Sequence, residues 1–395
     1  MALFSMSTFL ELTAWGHLLA FTPLYLKTEL GVQAADVPGW TGILAASSLL
    51  IAVPLSPLWG VLADRYSRKA VILRSQLVEV LCYLLFALSG NPWQFLAIRL
   101  LLGFSYGNFA VVMATQSMVT PDRSVGTAVG IILMAATVAQ SVGPLFGSLV
   151  INLLGIRALF AVDAALTASA ALLIALVFRE PPIHDRSTPI LEKLKLVFRQ
   201  VATNPPVRWN FLCWLLIYAG VAVMDPFLPV LIDRLAVGLD SATIIGSLLA
   251  GYGLLTALGT PIAGRLADRV GGASLFLGAS ISLFLIAGAV GLVASLPVLG
   301  LLVLLRAIPQ AGTSVVLYSH LATHVPPQHR SAVMSLTPMP RNLAWLIAPG
   351  LASAATGLGL SGAFWLAAAF YAAGSVVAVL MVLSSRRIPR QAAEL

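Results

Sequence analysis

Long apolar segments constrain this chain more than any other feature of its sequence. Twelve of them reach the ~20 residues that a helix needs to cross the hydrocarbon core of a bilayer. Unpaired backbone groups are costly in lipid, and none of the segments alternates like a barrel strand, so each is predicted to be a helix. The expected fold class is therefore an all-α membrane protein with twelve transmembrane helices. The segments run over residues 3–26, 38–63, 70–89, 93–118, 125–154, 158–178, 207–232, 241–266, 273–294, 298–322, 331–356 and 361–384.

The amount and distribution of charge agree with a membrane protein. Only 10% of the residues are charged, and the mean hydropathy is +0.95, whereas soluble domains carry roughly 25% charged residues. The net charge of +8 could suit a nucleic acid, but the cationic residues cluster in loops. With the N-terminus inside, most of the 23 Lys and Arg residues lie in or beside cytoplasmic loops, which is the positive-inside pattern. We therefore expect a lipid bilayer and no nucleic acid as partner, and both termini in the cytoplasm.

A polar segment over 179–206 divides the apolar segments into two sets of six. The expected domains are an N-terminal six-helix bundle over 1–178 and a C-terminal six-helix bundle over 207–385. The cytoplasmic central loop, 179–206, is expected to hold an amphipathic helix at the membrane surface, with a flexible linker as the alternative. Residues 386–395 form a cytoplasmic tail.

The two halves repeat one another, at a distance of roughly 205 residues. Residues 60–65 recur as 264–269, Arg99 recurs as Arg306, and Pro144 recurs as Pro349. Parallel repeats of six helices are typical of transporters with a pseudo-twofold axis along the membrane normal.

The loop after the second segment resembles the signature of the major facilitator superfamily. It reads Gly60-x-Leu62-Ala63-Asp64-Arg65-x-Ser67-Arg68-Lys69, with Ser67 where glycine is usual. The second copy keeps Asp268 and Arg269 but replaces the later basic pair with Gly272 and Ala273. The resemblance implies the major facilitator fold, with two pseudo-symmetric six-helix bundles.

The signature loop is a candidate gate. Asp64 at the end of a helix is unfavourable beside the negative end of the helix dipole. It is therefore expected to pair with Arg65, with Arg68 or with the N-terminus of a neighbouring helix. In the family, an acidic residue after the fourth span joins this network, and Asp122 holds that position here. The alternative is a set of positive-inside residues with one solvated carboxylate.

Two further patterns resemble those of proton-driven exporters. Arg99 followed by Gly103 resembles the fourth-span pattern associated with proton coupling. Gly143-Pro144-x-x-Gly147 resembles the fifth-span motif of drug:proton antiporters, although its other small positions are degenerate. A purely structural glycine–proline bend is the alternative reading of the second pattern.

Ionisable residues inside the spans are candidates for proton coupling, because charge is expensive there. Asp225 and Arg306 are predicted to lie at similar depth and to form an ion pair that is either structural or released during coupling. Glu11 is the second candidate carboxylate, and Arg99 completes the set. His17 is expected to be a hydrogen-bonded packing residue, and Asp163 to pair structurally near the outer interface by Arg157.

Aromatic and polar side chains on the spans expected to line the central cavity are candidate substrate contacts. They are Trp15, Tyr106, Trp214, Tyr218, Gln310, Arg341 and Trp345. His320 and His324 are four residues apart, but no third ligand accompanies them, so no metal is expected.

The function expected from these patterns is proton-coupled export of a small amphipathic or hydrophobic compound by alternating access. The alternative is a proton-coupled uptake symporter for a small metabolite or organic anion, and a less favoured one is a non-transporting sensor or scaffold. The sequence shows no nucleophile elbow or phosphate-binding loop, so neither an enzyme nor a cofactor is expected. We expect a monomer in the plasma (inner) membrane of a bacterium, with a small molecule and protons as partners.

Overall fold

The computed structural model describes residues 2–121, 124–180, 203–324 and 338–386, and the regular structure in these ranges is helical. The central loop from residue 181 to 202, Asp122, residues 325–337 and the tail from residue 387 lie outside the described residues. The helices are α1 Ala2–Thr28, α2 Val37–Arg65, α3 Arg68–Leu88, α4 Pro92–Leu102, α5 Asn108–Val119, α6 Val125–Leu154, α7 Ile156–Val177, α8 Pro205–Leu235, α9 Ser241–Val270, α10 Gly272–Val290, α11 Leu296–His324, α12 Pro338–Ala355 and α13 Leu360–Arg386.

Ten segments within these ranges are long and apolar enough to cross a membrane, with α4 and α5 counted as one. Helices α1 and α12 are not among them, although the sequence predicts spans at both places. The physical reason lies in their composition: α1 contains Glu11 and His17, and α12 contains Arg341 and Asn342. Polar groups of this kind need partners from neighbouring helices.

The described helices form two compact units. The first comprises the described residues of Met1–Ser187 together with Asp225–Leu254, and the second those of Thr188–Met224 and Leu255–Leu395. Helices α8 and α9 each contribute to both units.

The first unit is built on the contacts of α1 with α6 and α7 and of α3 with α7. An aromatic cluster fills its interior, where the rings of Phe86 and Phe95 stack at 4.2 Å and those of Tyr25 and Phe160 meet edge to face at 5.0 Å. The hydroxyl of Tyr25 donates to the carbonyl of Phe86 at 2.9 Å, so the one polar atom of the cluster is paired.

In the second unit, α10 packs against α11 and α13. Small residues occupy much of the buried surface of these helices, including Ala279, Ser280 and Ala287 of α10 and Ala363 and Ala367 of α13. Small side chains let helix backbones approach closely and make extensive van der Waals contact. This contact stabilises helix packing in a membrane, where burying apolar side chains gains little because lipid is itself apolar.

The fourth span is broken, which the sequence does not predict. Helix α4 ends at Leu102, a 3₁₀ turn covers Gly103–Ser105, and Gly107 has φ of 94° before α5 begins at Asn108. Because the amide of Gly103 bonds to Leu100 and Leu101, the carbonyl of Arg99 is left to accept from the hydroxyl of Ser48 at 2.7 Å. Tyr106 therefore does not have the direction relative to Arg99 that one continuous helix would give it.

Polar contacts gather at the end of the first unit where α1, α6 and α8 finish. Lys27 forms an ion pair with Asp233 at 2.7 Å. The side chain of Asp240 caps α9 by accepting from the amides of Ala242 and Thr243, and it also accepts from Asn152 Nδ2 at 2.6 Å. The pKa of Asp240 is lowered, because slight burial is outweighed by the hydrogen bonds from Thr243 and Asn152.

We predict that Asp240→Ala destabilises the protein by about 1 kcal/mol, the usual cost of losing an N-cap. A carboxylate whose pKa is lowered by folding stabilises the folded state at any pH above its ordinary pKa of 3.8. This stabilisation is lost as the pH falls through the lower pKa of the folded state. The difference in apparent melting temperature between wild type and variant in detergent should thus be full at neutral pH and shrink in acid. The matched control is Asp36→Ala, since Asp36 precedes α2 without a side-chain cap bond. Equal losses in the two variants would contradict the assignment.

Candidate functional site

The signature loop forms a connected network at the junction of α2 and α3. Asp64 pairs with Arg68 at 2.6 Å. Of the two arginines expected to neutralise it, Arg65 and Arg68, the partner is therefore Arg68. Ser67, which replaces the usual glycine, is the N-cap of α3 and accepts from the amide of Ala70 at 3.0 Å. The serine therefore performs a defined role at this turn, because Ser is a favoured N-cap residue.

Glu180 joins this network from the segment after α7, and the sequence analysis missed it. Its carboxylate accepts from the Ser67 hydroxyl and from the amide of Arg68, both at 2.5 Å. Lys69 donates to the carbonyls of Ala175 and Phe178 at 2.7 Å, which satisfies groups at the C-terminus of α7. The only signal in the sequence was the position of Glu180 at the start of the central polar segment.

Other members of the motif lack such contacts. A Cβ at Gly60 would meet no atom of its surroundings within 4 Å, so no close helix approach requires a glycine there. Arg65 is exposed, with its guanidinium 5.6 Å from the Tyr66 ring centre. Asp268 and Arg269 are exposed and make no ion pair or hydrogen bond with another residue of the described ranges, since Gly272 stands where the first copy has Arg68.

Glu11 is the centre of a second polar network within the first unit. Both of its carboxylate oxygens accept from Asn108 Nδ2 at 2.8 Å, and Oε2 also accepts from Gln76 Nε2 at 3.3 Å. Gln76 in turn donates to the hydroxyl of Ser7 at 2.8 Å. The carboxylate of Glu11 is thus held by neutral amides, and no cation of the described ranges lies within ion-pair distance.

Glu79 of α3 lies close enough to Glu11 for the two carboxyl groups to interact electrostatically. Its Oε2 is buried and makes no hydrogen bond within the described part of the chain. The guanidinium of Arg74, also on α3, lies 3.4 Å from the Trp59 ring centre and donates to the carbonyl of Phe104. Like charges this close disfavour simultaneous ionisation.

Arg99 is buried at the end of α4, with 5% of its surface exposed. Its Nε has no hydrogen-bond partner among the residues described. Nearby in the unit, Trp15 donates weakly to the hydroxyl of Tyr106 at 3.4 Å, and both rings are half-buried. The structure therefore brings together Trp15 and Tyr106, two of the predicted substrate contacts.

His17 and Asp163 form a pair that the sequence analysis did not identify. Their side chains are fully buried, with 2.6 Å between His17 Nδ1 and Asp163 Oδ1. Asp163 is structurally paired, as expected, but its partner is His17 and not Arg157, which pairs with Glu29 at 2.6 Å. His17 is hydrogen-bonded, as expected, and its Nε2 lies 2.8 Å from the carbonyl of Gly143.

The fifth-span motif is the surface on which α1 packs. A Cβ at Gly147 would lie 2.7 Å from Cδ2 of His17 and 2.8 Å from Cε2 of Phe21, and one at Gly143 would lie 3.3 Å from the carbonyl of Thr13. Pro144 lies opposite Gly16 of α1. The motif glycines are therefore required by the close approach of α1, and not only by a bend in α6.

The second unit contains an aromatic group on α8 and α11. The rings of Trp214 and Tyr218 stack at 5.2 Å and 7°, and Tyr318 meets Trp214 edge to face at 4.7 Å. Asn210, one turn earlier on α8, donates to the carbonyl of Leu317 at 3.0 Å. Trp214 is buried, so Tyr218 and Tyr318 are the members of this group whose exposed ring surface suits a flat apolar ligand.

The remaining candidates occupy varied surroundings. Arg306 and Gln310 are buried in α11, Arg341 is exposed on α12, and Trp345 is half-buried. Asp225 is half-buried in α8 between Met224 and Pro226. No group of three potential metal ligands occurs in the described ranges.

We predict that Gly147→Ala destabilises the protein by about 1–3 kcal/mol, because the added methyl overpacks His17 and Phe21. The matched control is Gly130→Ala on the same helix, where a Cβ meets no neighbour within 4 Å. Alanine there should be neutral or mildly stabilising. Apparent melting temperatures of the two variants in the same detergent test this, and similar values for both would contradict the observed packing.

Comparison with known proteins places these features in one family. The multidrug resistance protein MdtG of Citrobacter koseri is 32% identical over 272 residues, which cover 67% of this chain and 65% of that protein. The MdtG protein of Escherichia coli is 30% identical over a similar length. The match thus spans a little under two thirds of these relatives.

Solved structures show the same fold at low sequence identity. The nucleoside transporter NupG superposes with a TM-score of 0.77 at 16% identity, over 98% of this chain and 99% of that one. The human organic anion transporter MFSD10 superposes with a TM-score of 0.68 at 20% identity, over 95% of this chain and 98% of that one. The profile of the Major Facilitator Superfamily matches residues 4–246 and 234–394, which confirms the resemblance and the fold expected from the sequence. The chain belongs to the major facilitator superfamily.

Proposed function

We propose that this protein is a secondary active transporter that exports small amphipathic or hydrophobic compounds in exchange for protons. The observation that carries the proposal is the pair of carboxyl groups, Glu11 and Glu79, inside the membrane-spanning part of the first unit. They interact with each other and have neutral amides as the hydrogen-bond donors to Glu11.

This arrangement suits a site that binds and releases a proton. A carboxylate locked to Arg or Lys would have to break an ion pair whenever it is protonated, whereas Glu11 exchanges only hydrogen bonds with Asn108 and Gln76. Because each carboxylate disfavours a second negative charge near it, one of the two groups readily keeps a proton. Asp225, Arg99 and Arg306 remain candidates for the same coupling.

Export of hydrophobic compounds is supported by the aromatic side chains and by the relatives. Trp15 and Tyr106 in the first unit, and Tyr218 beside the buried Trp214 in the second, offer ring faces that tolerate varied ligands. The MdtG proteins carry the name multidrug resistance protein. The fifth-span motif of drug:proton antiporters is also present, and its glycines are engaged by α1.

The signature loop, with Asp64, Arg68 and Glu180, is proposed as a gate whose contacts form in one state of the alternating-access cycle and break in the other. The positive-inside pattern supports cytoplasmic termini, and bacterial relatives support the inner membrane. We further propose that a monomer is the working unit, with the domain boundaries expected from the sequence.

The test is ethidium accumulation in a bacterial host that lacks its own major pumps, with and without a protonophore. Wild type should lower accumulation, and the protonophore should abolish this effect. Glu11→Gln should raise accumulation to the level of the empty vector, because a permanently neutral amide cannot release a proton. Asp225→Asn and Arg99→Ala are run beside it at matched membrane levels.

The matched control is Glu29→Gln, which neutralises a carboxylate in the loop after α1 that pairs with Arg157. It should export like wild type. If well-expressed wild type never lowers dye levels, export of hydrophobic cations is wrong, and uptake of organic anions becomes the reaction to screen. If Glu11→Gln still exports in a protonophore-sensitive manner, Glu11 is not the coupling group.

A further inference from the structure

The His17–Asp163 pair lies outside the Glu11 network and has no role in the function proposed above. Both side chains have 0% exposure. His17 follows Glu11 by six residues on α1, so the two side chains point about 120° apart. The pair joins three helices, because His17 of α1 contacts Asp163 of α7 and the carbonyl of Gly143 in α6.

The hydrogen bonds fix how many protons the pair holds. A carbonyl oxygen only accepts, so Nε2 of His17 must carry the hydrogen that it donates to Gly143. One further proton must then lie between Nδ1 and Asp163 Oδ1, because without it two lone pairs would face each other at 2.6 Å. Adding a further proton to the pair would protonate both the imidazole and the carboxyl group, and would leave an uncompensated positive charge on His17 buried in the membrane.

The other carboxyl oxygen indicates where that proton resides. Oδ2 of Asp163 is buried and has no hydrogen-bond partner in the described part of the chain. An ionised carboxylate with one oxygen unpaired is much costlier to bury than the neutral acid. The bonding pattern therefore fits a protonated Asp163 that donates to Nδ1 of a neutral imidazole.

Within the described ranges, no other charged group lies within ion-pair distance of His17 or Asp163. Tyr83 of α3 is the ionisable group near enough to interact with Asp163. Helix α6 contains no titratable residue. On α7, the other charged residue is Arg157, which pairs with Glu29. On α1, the other ionisable residues also have partners of their own. Asn108 donates to Glu11, Tyr25 donates to the carbonyl of Phe86, and Lys27 pairs with Asp233.

The pair lies against the segment of α6 that also packs on α9. His17 fills the space that Gly147 leaves open, and on another side of α6 the carbonyl of Pro144 would be 2.6 Å from a Cβ at Gly246. Movement of α1 relative to this segment must therefore break the bond from His17 to Gly143, which orients the ring toward Asp163.

We propose that His17 and Asp163 form a second proton-binding site, in which Asp163 holds the proton while α1 packs on the Gly143–Gly147 segment of α6 and releases it when that packing opens. On release the O–H bond of Asp163 breaks and the proton passes to water, leaving a carboxylate and a neutral imidazole. The use of this site in transport rests on the proposed function. His17 is then a positioning residue for Asp163.

The first experiment needs no substrate. Wild-type protein labelled with ¹⁵N-histidine is placed in lipid nanodiscs, and the His17 signals are identified by their loss in His17→Gln. We expect one protonated and one bare ring nitrogen across the range in which exposed histidines titrate. A ring protonated at both nitrogens throughout that range is a permanent ion pair and overturns the proposal.

The second experiment separates proton coupling from structure in proteoliposomes with ethidium as probe. Asp163→Asn, nearly identical in shape, should lose efflux driven by a pH gradient but retain ethidium counterflow, which requires no net proton movement. Thr167→Val is the matched control, since the Thr167 hydroxyl is buried one turn away and has no hydrogen-bond partner among the described residues. It should retain both activities.

Retention of gradient-driven efflux by Asp163→Asn, or loss of both activities in folded protein, overturns the proposal. If wild type moves no ethidium in either assay, the proposed export function fails, while the histidine spectrum still decides whether the proton site exists. The spectrum also decides the matter if Asp163→Asn does not fold.

Discussion

A polar group inside a bilayer must find its partner within the protein, and the packing of α1 depends on this constraint. Four of its polar side chains along the span are engaged: Thr13 bonds to its own helix, Glu11 to α3 and α5, His17 to α6 and α7, and Tyr25 to the end of α3. A helix poorly suited to face lipid is consequently held by polar contacts with four other helices, α3, α5, α6 and α7. The rest of the first unit is arranged around it, because each partner fixes the position and rotation of another helix.

The fold could be predicted from the sequence because its determinants are local. The length of an apolar segment, the loop in which a cation falls and the recurrence of a motif can all be read without knowing which helices touch. The signature loop was predictable for the same reason, since Asp64 and Arg68 are one helical turn apart.

The site was less predictable because it depends on contacts between distant segments. Nothing in the spacing of His17 and Asp163 indicates that α1 and α7 meet at that height, and the nearer arginine, Arg157, was the obvious but wrong partner. The break in the fourth span escaped the sequence analysis because glycines are common in membrane helices. The roles of Glu180 and Asn108 likewise depend on tertiary contacts that hydropathy does not encode.

The two copies of the signature illustrate how a repeated fold acquires unequal chemistry. The first copy has a cation one turn after its aspartate, and a serine that caps the next helix. The second copy has Gly272 in place of that cation, and its Asp268 faces solvent without a described partner. The backbone repeat is thus retained while the electrostatic network belongs to one copy.

The break between α4 and α5 has an electrostatic consequence for Glu11. A continuous membrane helix presents its partial charges at the two interfaces, whereas a broken one also presents a positive end inside the hydrocarbon region. Asn108, which holds the Glu11 carboxylate, is the first residue of α5. The half-helix therefore offers its amino end to this carboxylate, and negative charge can persist there without a neighbouring arginine or lysine. The cation best placed to neutralise the Glu11 carboxylate is then one that enters from outside the protein.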